Sequence, residues 1–259
     1  SMTGARIELK SMGERLAKKR RGATPLPIRD GLNPTHARVP EGPITAWDFV
    51  RELILTQRHR HPEDDDAALR SRFAAGEVVL QDGTSLTPDS ILATNATIYF
   101  YRIPAPETPV PYDIPILYED EHLLVVDKPP FMATMPRARH ITETATVRLR
   151  RATGNNELSP AHRLDRLTSG ILVFTKDRSV RGAYQTLFAQ RRVSKTYEAI
   201  AALADVSPGT LWRSRMEKTP GELQGRIVAG IPNAITEVAA VEAIDKAPYE
   251  ALHLSLIHI

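Results

Sequence analysis

The sequence predicts an α+β chain made of two dissimilar parts. Helix-like and strand-like patterns follow one another irregularly after residue 116, which argues against the regular alternation of a parallel α/β sheet. Five prolines between Pro104 and Pro115 separate that region from a shorter one with its own apolar pattern. No internal repeat is present, so a solenoid is not expected.

Residues 1–40 are basic, dotted with proline and lack apolar periodicity, and predict an irregular arm. Residues 41–103 predict a small domain. In it Ile44, Trp47, Phe49, Val50, Leu53 and Ile54 recur at helical spacing, and Leu69 to Phe73 reads as a second helix stopped near Gly76. Val78-Val79-Leu80, the turn Asp82-Gly83 and the run Ile98 to Ile103 read as strands about a tight turn. Residues 104–115 predict a linker, because proline stiffens the chain and removes backbone donors.

Beyond it, His122 to Asp127 is a short apolar strand and Thr142 to Ala152 a helix ended by Gly154. Gly170 to Thr175 is apolar at alternate positions of both kinds, which predicts a strand covered on both faces. Asp177 can cap a helix whose inner face is Val180, Ala183, Tyr184, Leu187 and Phe188. Arg191 and Arg192 suit its C-terminal end, and Val193 to Ala201 reads as a further strand.

The net formal charge is only +3, but it is unevenly spread. From Arg137 to Lys195 there are thirteen Lys/Arg against four Asp/Glu, whereas Glu107 to Asp127 holds six acids and no Lys or Arg. Lys18 to Arg21 form a second basic cluster. A basic block in an otherwise balanced chain suits a polyanion, whose counterions are released on binding; a solvated helical face is the plainer alternative. Cysteine is absent, which excludes disulfides and thiolate metal sites and fits a cytoplasmic protein. No run approaches the roughly 18 apolar residues of a membrane span.

The run His162-Arg163-Leu164-Asp165-Arg166-Leu167-Thr168-Ser169-Gly170 joins a polar turn to an apolar strand. It sets one acid between two arginines. Cationic neighbours favour the ionised carboxylate, which at a strand entrance can serve as nucleophile or base. The same residues also suit an Asx turn, with the aspartate capping its own backbone. Chemistry alone leaves both readings open.

This run resembles the signature H-R-L-D-x-x-T-S-G of the RluA-type pseudouridine synthases. Leu117 to Pro130, which contains Asp127-Lys128-Pro129, resembles the family's first motif, and Lys195-Thr196-Tyr197-Glu198-Ala199 its K-x-Y-x-A motif. The resemblance covers roughly residues 116–254. More faintly, Leu69 to Tyr101 resembles the αL RNA-binding motif found ahead of many such catalytic domains. The implied architecture is a mixed, mostly antiparallel sheet with flanking helices across a catalytic domain at 116–259. The implied activity is isomerisation of uridine to pseudouridine in ribosomal or transfer RNA. Asp165 matches the catalytic aspartate, Arg163 the arginine that enters the RNA stack, and Tyr197 the tyrosine that stacks on the flipped uracil. His162, Thr168 and Lys195 match further substrate-binding positions, while Lys128 and Pro129 match positions that shape the sheet. The family's reaction implies neither metal nor cofactor. A cytoplasmic monomer with RNA as its partner is expected.

The sequence also departs from the family. Relatives often carry glycine soon after Lys-Pro, where this chain has Pro130-Phe131-Met132-Ala133. Relatives continue with T-G-R-T-H-Q-L-R, whose arginine pairs with the aspartate, where this chain has Ala251 to Ile259. The expectation is a truncated product, with Ser255 to Ile259 foreign to the family and activity reduced. A catalytically incomplete RNA-binding fragment is the second reading. An aspartate-based hydrolase is disfavoured, since no second acid or metal set accompanies Asp165. His59 and His61 lack a third ligand and read as a solvated loop. Arg148, Arg150 and Arg151 read as a solvated helix face, with RNA phosphate contact as the alternative. Arg137, Arg139 and His140 are candidates for RNA contact near the site.

Overall fold

The computed structural model describes residues 24–222, 224–246 and 249–258, so the Lys18 to Arg21 cluster lies outside it. The chain forms two compact units, one ending at Gln185 and the other beginning at Thr186.

The first unit opens with β1 (Thr35–Arg38), β2 (Ile44–Thr45), α1 (Ala46–Leu55), α2 (Asp66–Ala74), β3 (Val78–Leu80), β4 (Ile91–Leu92) and β5 (Thr97–Phe100). Their strands pair antiparallel as β1-β5-β3 and β2-β4. Thr45 and Asp65 cap the two helices by accepting from Asp48 N at 3.1 Å and Ala68 N at 2.9 Å. Phe49, Val50 and Ile54 of α1 share one buried cluster with Leu69 and Phe73 of α2 and Val78, Ile98 and Phe100 of the sheet. The buried Asp64–Arg72 pair ties α2 to the end of β5, since Arg72 also donates to Tyr101 O and Asp64 accepts from Ile103 N. Gly76 and Gly83 take left-handed backbones at the turns read from sequence. β1 lies inside the segment expected to be irregular, and Val39 after it is fully buried. Four half-polar residues carry too little pattern to announce a strand; pairing with β5 makes it one.

The larger part of this unit holds β6 (Ile116–Glu119), β7 (Leu123–Lys128), α3 (Ala145–Thr153), β8 (Ser159–Pro160) and β9 (Gly170–Thr175), antiparallel in the order β6-β7-β9-β8. Leu124, Val126 and Lys128 of β7 lie opposite Phe174, Leu172 and Gly170 of β9 on the buried face. On the other face exposure falls from Ile171 at 63% through half-buried Val173 to fully buried Thr175, so β9 is covered on both faces only toward its C-terminal end. α4 (Arg178–Ala189) follows and crosses the division between units. Asp177 accepts from Ser179 N and Val180 N at its start, and the five inner-face residues expected from sequence are each half-buried.

The expected linker has no regular secondary structure, yet it is tied down. The Glu107 carboxylate accepts from the amides of Ile141, Thr142 and Glu143, so α3 begins at Ala145 and not at Thr142. Arg148 donates to Val110 O and Tyr112 O. The proline stretch thus lies inside the first compact unit, which runs on to Gln185. The bonds also correct the reading of α3. Arg150 is only 7% exposed and donates to Leu158 O, Gly31 O and Asn33 Oδ1, while Arg151 donates to Asp30 O. Arg148 and Arg150 are backbone staples, while Arg151 keeps an exposed position beside Asp30.

The second unit contains β10 (Thr196–Ala201), β11 (Leu211–Glu217), β12 (Arg226–Val228), β13 (Ala234–Lys246) and β14 (Tyr249–His258), antiparallel in the order β10-β14-β13-β11-β12. Its small core is Val238, Leu252 and Leu254. Ser255 to His258, expected to be foreign, continue β14, with Ser255 opposite Glu198 and Leu256 opposite Tyr197. The whole is α+β with antiparallel sheets, as the sequence predicts.

Candidate active site

The H-R-L-D run is the loop that leads from β8 into β9. Two bonds to Val173 of β9 fix its start: Ala161 N donates to Val173 O at 2.9 Å, and Val173 N donates to the His162 side chain at Nε2, 3.1 Å away. Next, buried Leu164 is clipped by buried Thr134, whose hydroxyl accepts from Leu164 N at 3.0 Å and donates to Leu164 O at 2.6 Å. On the far side of Asp165, the carbonyl of Arg166 faces the Lys128 ammonium at 3.5 Å. The turn then closes by Thr168 N donating to Asp165 O at 3.0 Å.

Asp165 thus sits between anchored neighbours, and its side chain is 85% exposed. The turn uses its main-chain carbonyl, so the carboxylate is not consumed as an Asx staple. Its nearest ion-pair partner among the described residues is Arg163, at 4.0 Å and 60% exposed. Such a loose, wet pair adds at most about 1 kcal/mol of stability and leaves both groups open to a ligand.

Lys128 is fully buried on the core side of β7. Its ammonium donates to Met132 O at 2.7 Å and Pro129 O at 3.0 Å. Burial lowers its pKa from 10.5 to about 8, against the opposing pull of the Asp165 carboxylate; Arg166 adds to the lowering. By gathering these carbonyls it fixes the turn after β7, where Phe131 takes φ +66°. That left-handed backbone costs a non-glycine residue about 1–3 kcal/mol.

The first unit therefore brings together Asp165, Arg163, His162 and Thr168. Tyr197 and Lys195 belong to the second. Tyr197 is half-buried on β10, and the Lys195 ammonium lies 5.5 Å from the centre of the Phe188 ring. Sequence reasoning missed Thr134, which has no motif to mark it, and gave Lys128 only a general shaping role. The single signal for Lys128 was a lysine set in an apolar strand.

A family model described as RNA pseudouridylate synthase matches residues 122–254, just over half of the chain. This chain belongs to that family. The RluA-type resemblance agrees with its relatives. An uncharacterized RNA pseudouridine synthase of Synechocystis is 25% identical over 69% of this chain and 66% of its own length. Ribosomal large subunit pseudouridine synthase D of Xanthomonas campestris is 31% identical over 58% and 47%. tRNA pseudouridine synthase C of Vibrio parahaemolyticus is 37% identical over 35% and 37%. The chain thus spans between about a third and two thirds of the length of these pseudouridine synthases.

Proposed function

We propose that this chain isomerises uridine to pseudouridine in structured ribosomal or transfer RNA, with Asp165 as the catalytic carboxylate. The observation that carries the reading is an Asp165 carboxylate turned to solvent from a backbone anchored on both sides. The reaction breaks the glycosidic C–N bond, turns the uracil, and rejoins it to the ribose through carbon. A proton moves from that carbon to the nitrogen left behind, so atoms and electrons balance within the nucleoside and no cofactor is required.

The target must leave its stack, which costs a few kcal/mol. In this proposal Arg163 enters the gap, and Tyr197 stacks on the extruded base, returning about 1–3 kcal/mol. His162 and Thr168 hold the loop that surrounds the substrate, and Lys195 supplies charge toward the phosphates. The αL-like part at 41–103 and the basic block give further hold on RNA. Asp165 serves as nucleophile toward the sugar or base, or removes a sugar proton. A cytoplasmic protein acting as a monomer is the simplest form of this reading.

Uridine-labelled ribosomal and transfer RNA should yield pseudouridine with the wild-type chain. Asp165→Asn should lower the rate by about 10²–10⁴-fold or more. RNA binding without any turnover by the wild type would favour the incomplete-fragment reading; turnover that survives the substitution would remove Asp165 from its role.

A further inference from the structure

Next to the catalytic loop the first unit carries an open groove of about 670 Å³. Its walls are the tied-down proline stretch, the turn after β7 and the loop before α3. Two aromatic rings stand on its rim, Phe131 at 52% and Tyr112 at 45% exposure. Both backbones are held: Lys128 grips the carbonyls on either side of Phe131, and Arg148 grips Tyr112 O. A phenylalanine left in water on a left-handed backbone is a poor choice for packing alone, and such outliers gather at ligand sites.

The groove's cations are Arg139 and Arg166, with His140 between the same walls. Burial lowers the His140 pKa, and Arg166 and Arg139 lower it further, which places the three groups within electrostatic reach of one another; Glu107 opposes this. The two acids of the lining are already engaged. Glu107 accepts from the amides of residues 141–143 and from the Thr142 hydroxyl, and Glu143 meets Val110 N and Arg148. The surface offered outward is therefore aromatic faces beside guanidinium groups, the combination that holds single-stranded nucleic acid.

We propose that this groove seats a nucleotide of the RNA that neighbours the target uridine, with its base stacked on Phe131 and its phosphate met by Arg139 and Arg166. Arg166 directly follows Asp165, so a strand delivering a nucleoside to the carboxylate passes the groove's mouth. The inference rests on the RNA-modifying reading and adds to it a subsite that selects single-stranded flanks.

The test is fluorescence anisotropy with a labelled oligouridine at several salt concentrations, using Phe131→Gly, Phe131→Trp and Arg139→Gln. Glycine accepts the left-handed backbone, so the ring is lost without strain; Phe131→Asn, which tolerates that backbone too, is the second variant should glycine loosen the turn. Phe131→Gly should weaken binding roughly five- to a hundred-fold, and Phe131→Trp should restore it. Arg139→Gln should reduce the salt slope by about 0.7. A 4-thiouridine oligomer should crosslink within the peptide that contains Phe131. Wild-type affinity in Phe131→Gly and Phe131→Asn and a wild-type salt slope in Arg139→Gln, with the crosslink elsewhere, would overturn the subsite. Conversion of uridine in total cellular RNA, read separately, decides the enzymatic reading: the subsite can fall while Asp165-dependent turnover stands.

Discussion

At the scale of single residues, Asp165 owes its display to its neighbours. Leu164 is buried and Arg166 has its carbonyl facing Lys128, so the backbone on both sides is fixed while the carboxylate faces water. Thr134 is the hinge pin, because one hydroxyl satisfies both backbone groups of Leu164. Thr134→Val keeps the shape and removes both bonds. It should cost about 1–3 kcal/mol, seen as a lower urea midpoint. It should also slow pseudouridine formation more than it weakens RNA binding, and equal losses in the two would mean that the clip only stabilises. Asp165 was legible in the sequence because its motif is contiguous. Thr134 was not, because its partner lies thirty residues away and threonine marks no motif.

At the scale of elements, β7 carries a charge into its own core. Burial lowers Lys128 from 10.5 to about 8, so the folded protein gives up this proton at lower pH than the unfolded chain does. Below about pH 8 the folded state bears the cost of a buried ammonium. Between about 8 and 10.5 the unfolded chain still holds a proton that the folded one has lost, and this group makes stability rise with pH. Lys128→Met lacks that rise. Urea unfolding of both proteins should therefore show the wild type gaining on the variant across that window, and a constant difference would contradict it. Helix α3 makes a second case. Its apolar spacing announced the helix, but its arginines read as a wet face; folded, they donate to carbonyls of residues 30–33 and 110–112. Arg150→Met should cost about 1–3 kcal/mol and speed amide exchange around Gly31 to Asn33.

At the scale of the whole molecule, the two units differ in how much core they own. The first has a large cluster around Phe49, Phe73 and Phe100 as well as the buried face of β7 and β9. The second relies on Val238, Leu252 and Leu254. Leu254→Ala should cost about 2–5 kcal/mol there. Hydrogen exchange should then rise across β13 and β14 while the β7–β9 ladder keeps its protection; uniform loss in both sheets would show that they unfold as one. The proposed catalytic aspartate belongs to the first unit, and the tyrosine expected to stack on uracil belongs to the second.

The sequence by itself determined the α+β class, most of the helices and strands, the family and the identity of the proposed catalytic aspartate. Those properties are written locally, in periodic apolar residues, in capping residues and in one contiguous run. The tertiary structure decided which charges are spent inside the protein and which are offered to a ligand. Arg148 and Arg150 went to carbonyls, Lys128 to the turn after β7, and Phe131, Arg139 and Arg166 to an open groove. A guanidinium or a ring looks the same in sequence whether its partner is a distant backbone oxygen or a solvated phosphate; only long-range packing brings one or the other within reach.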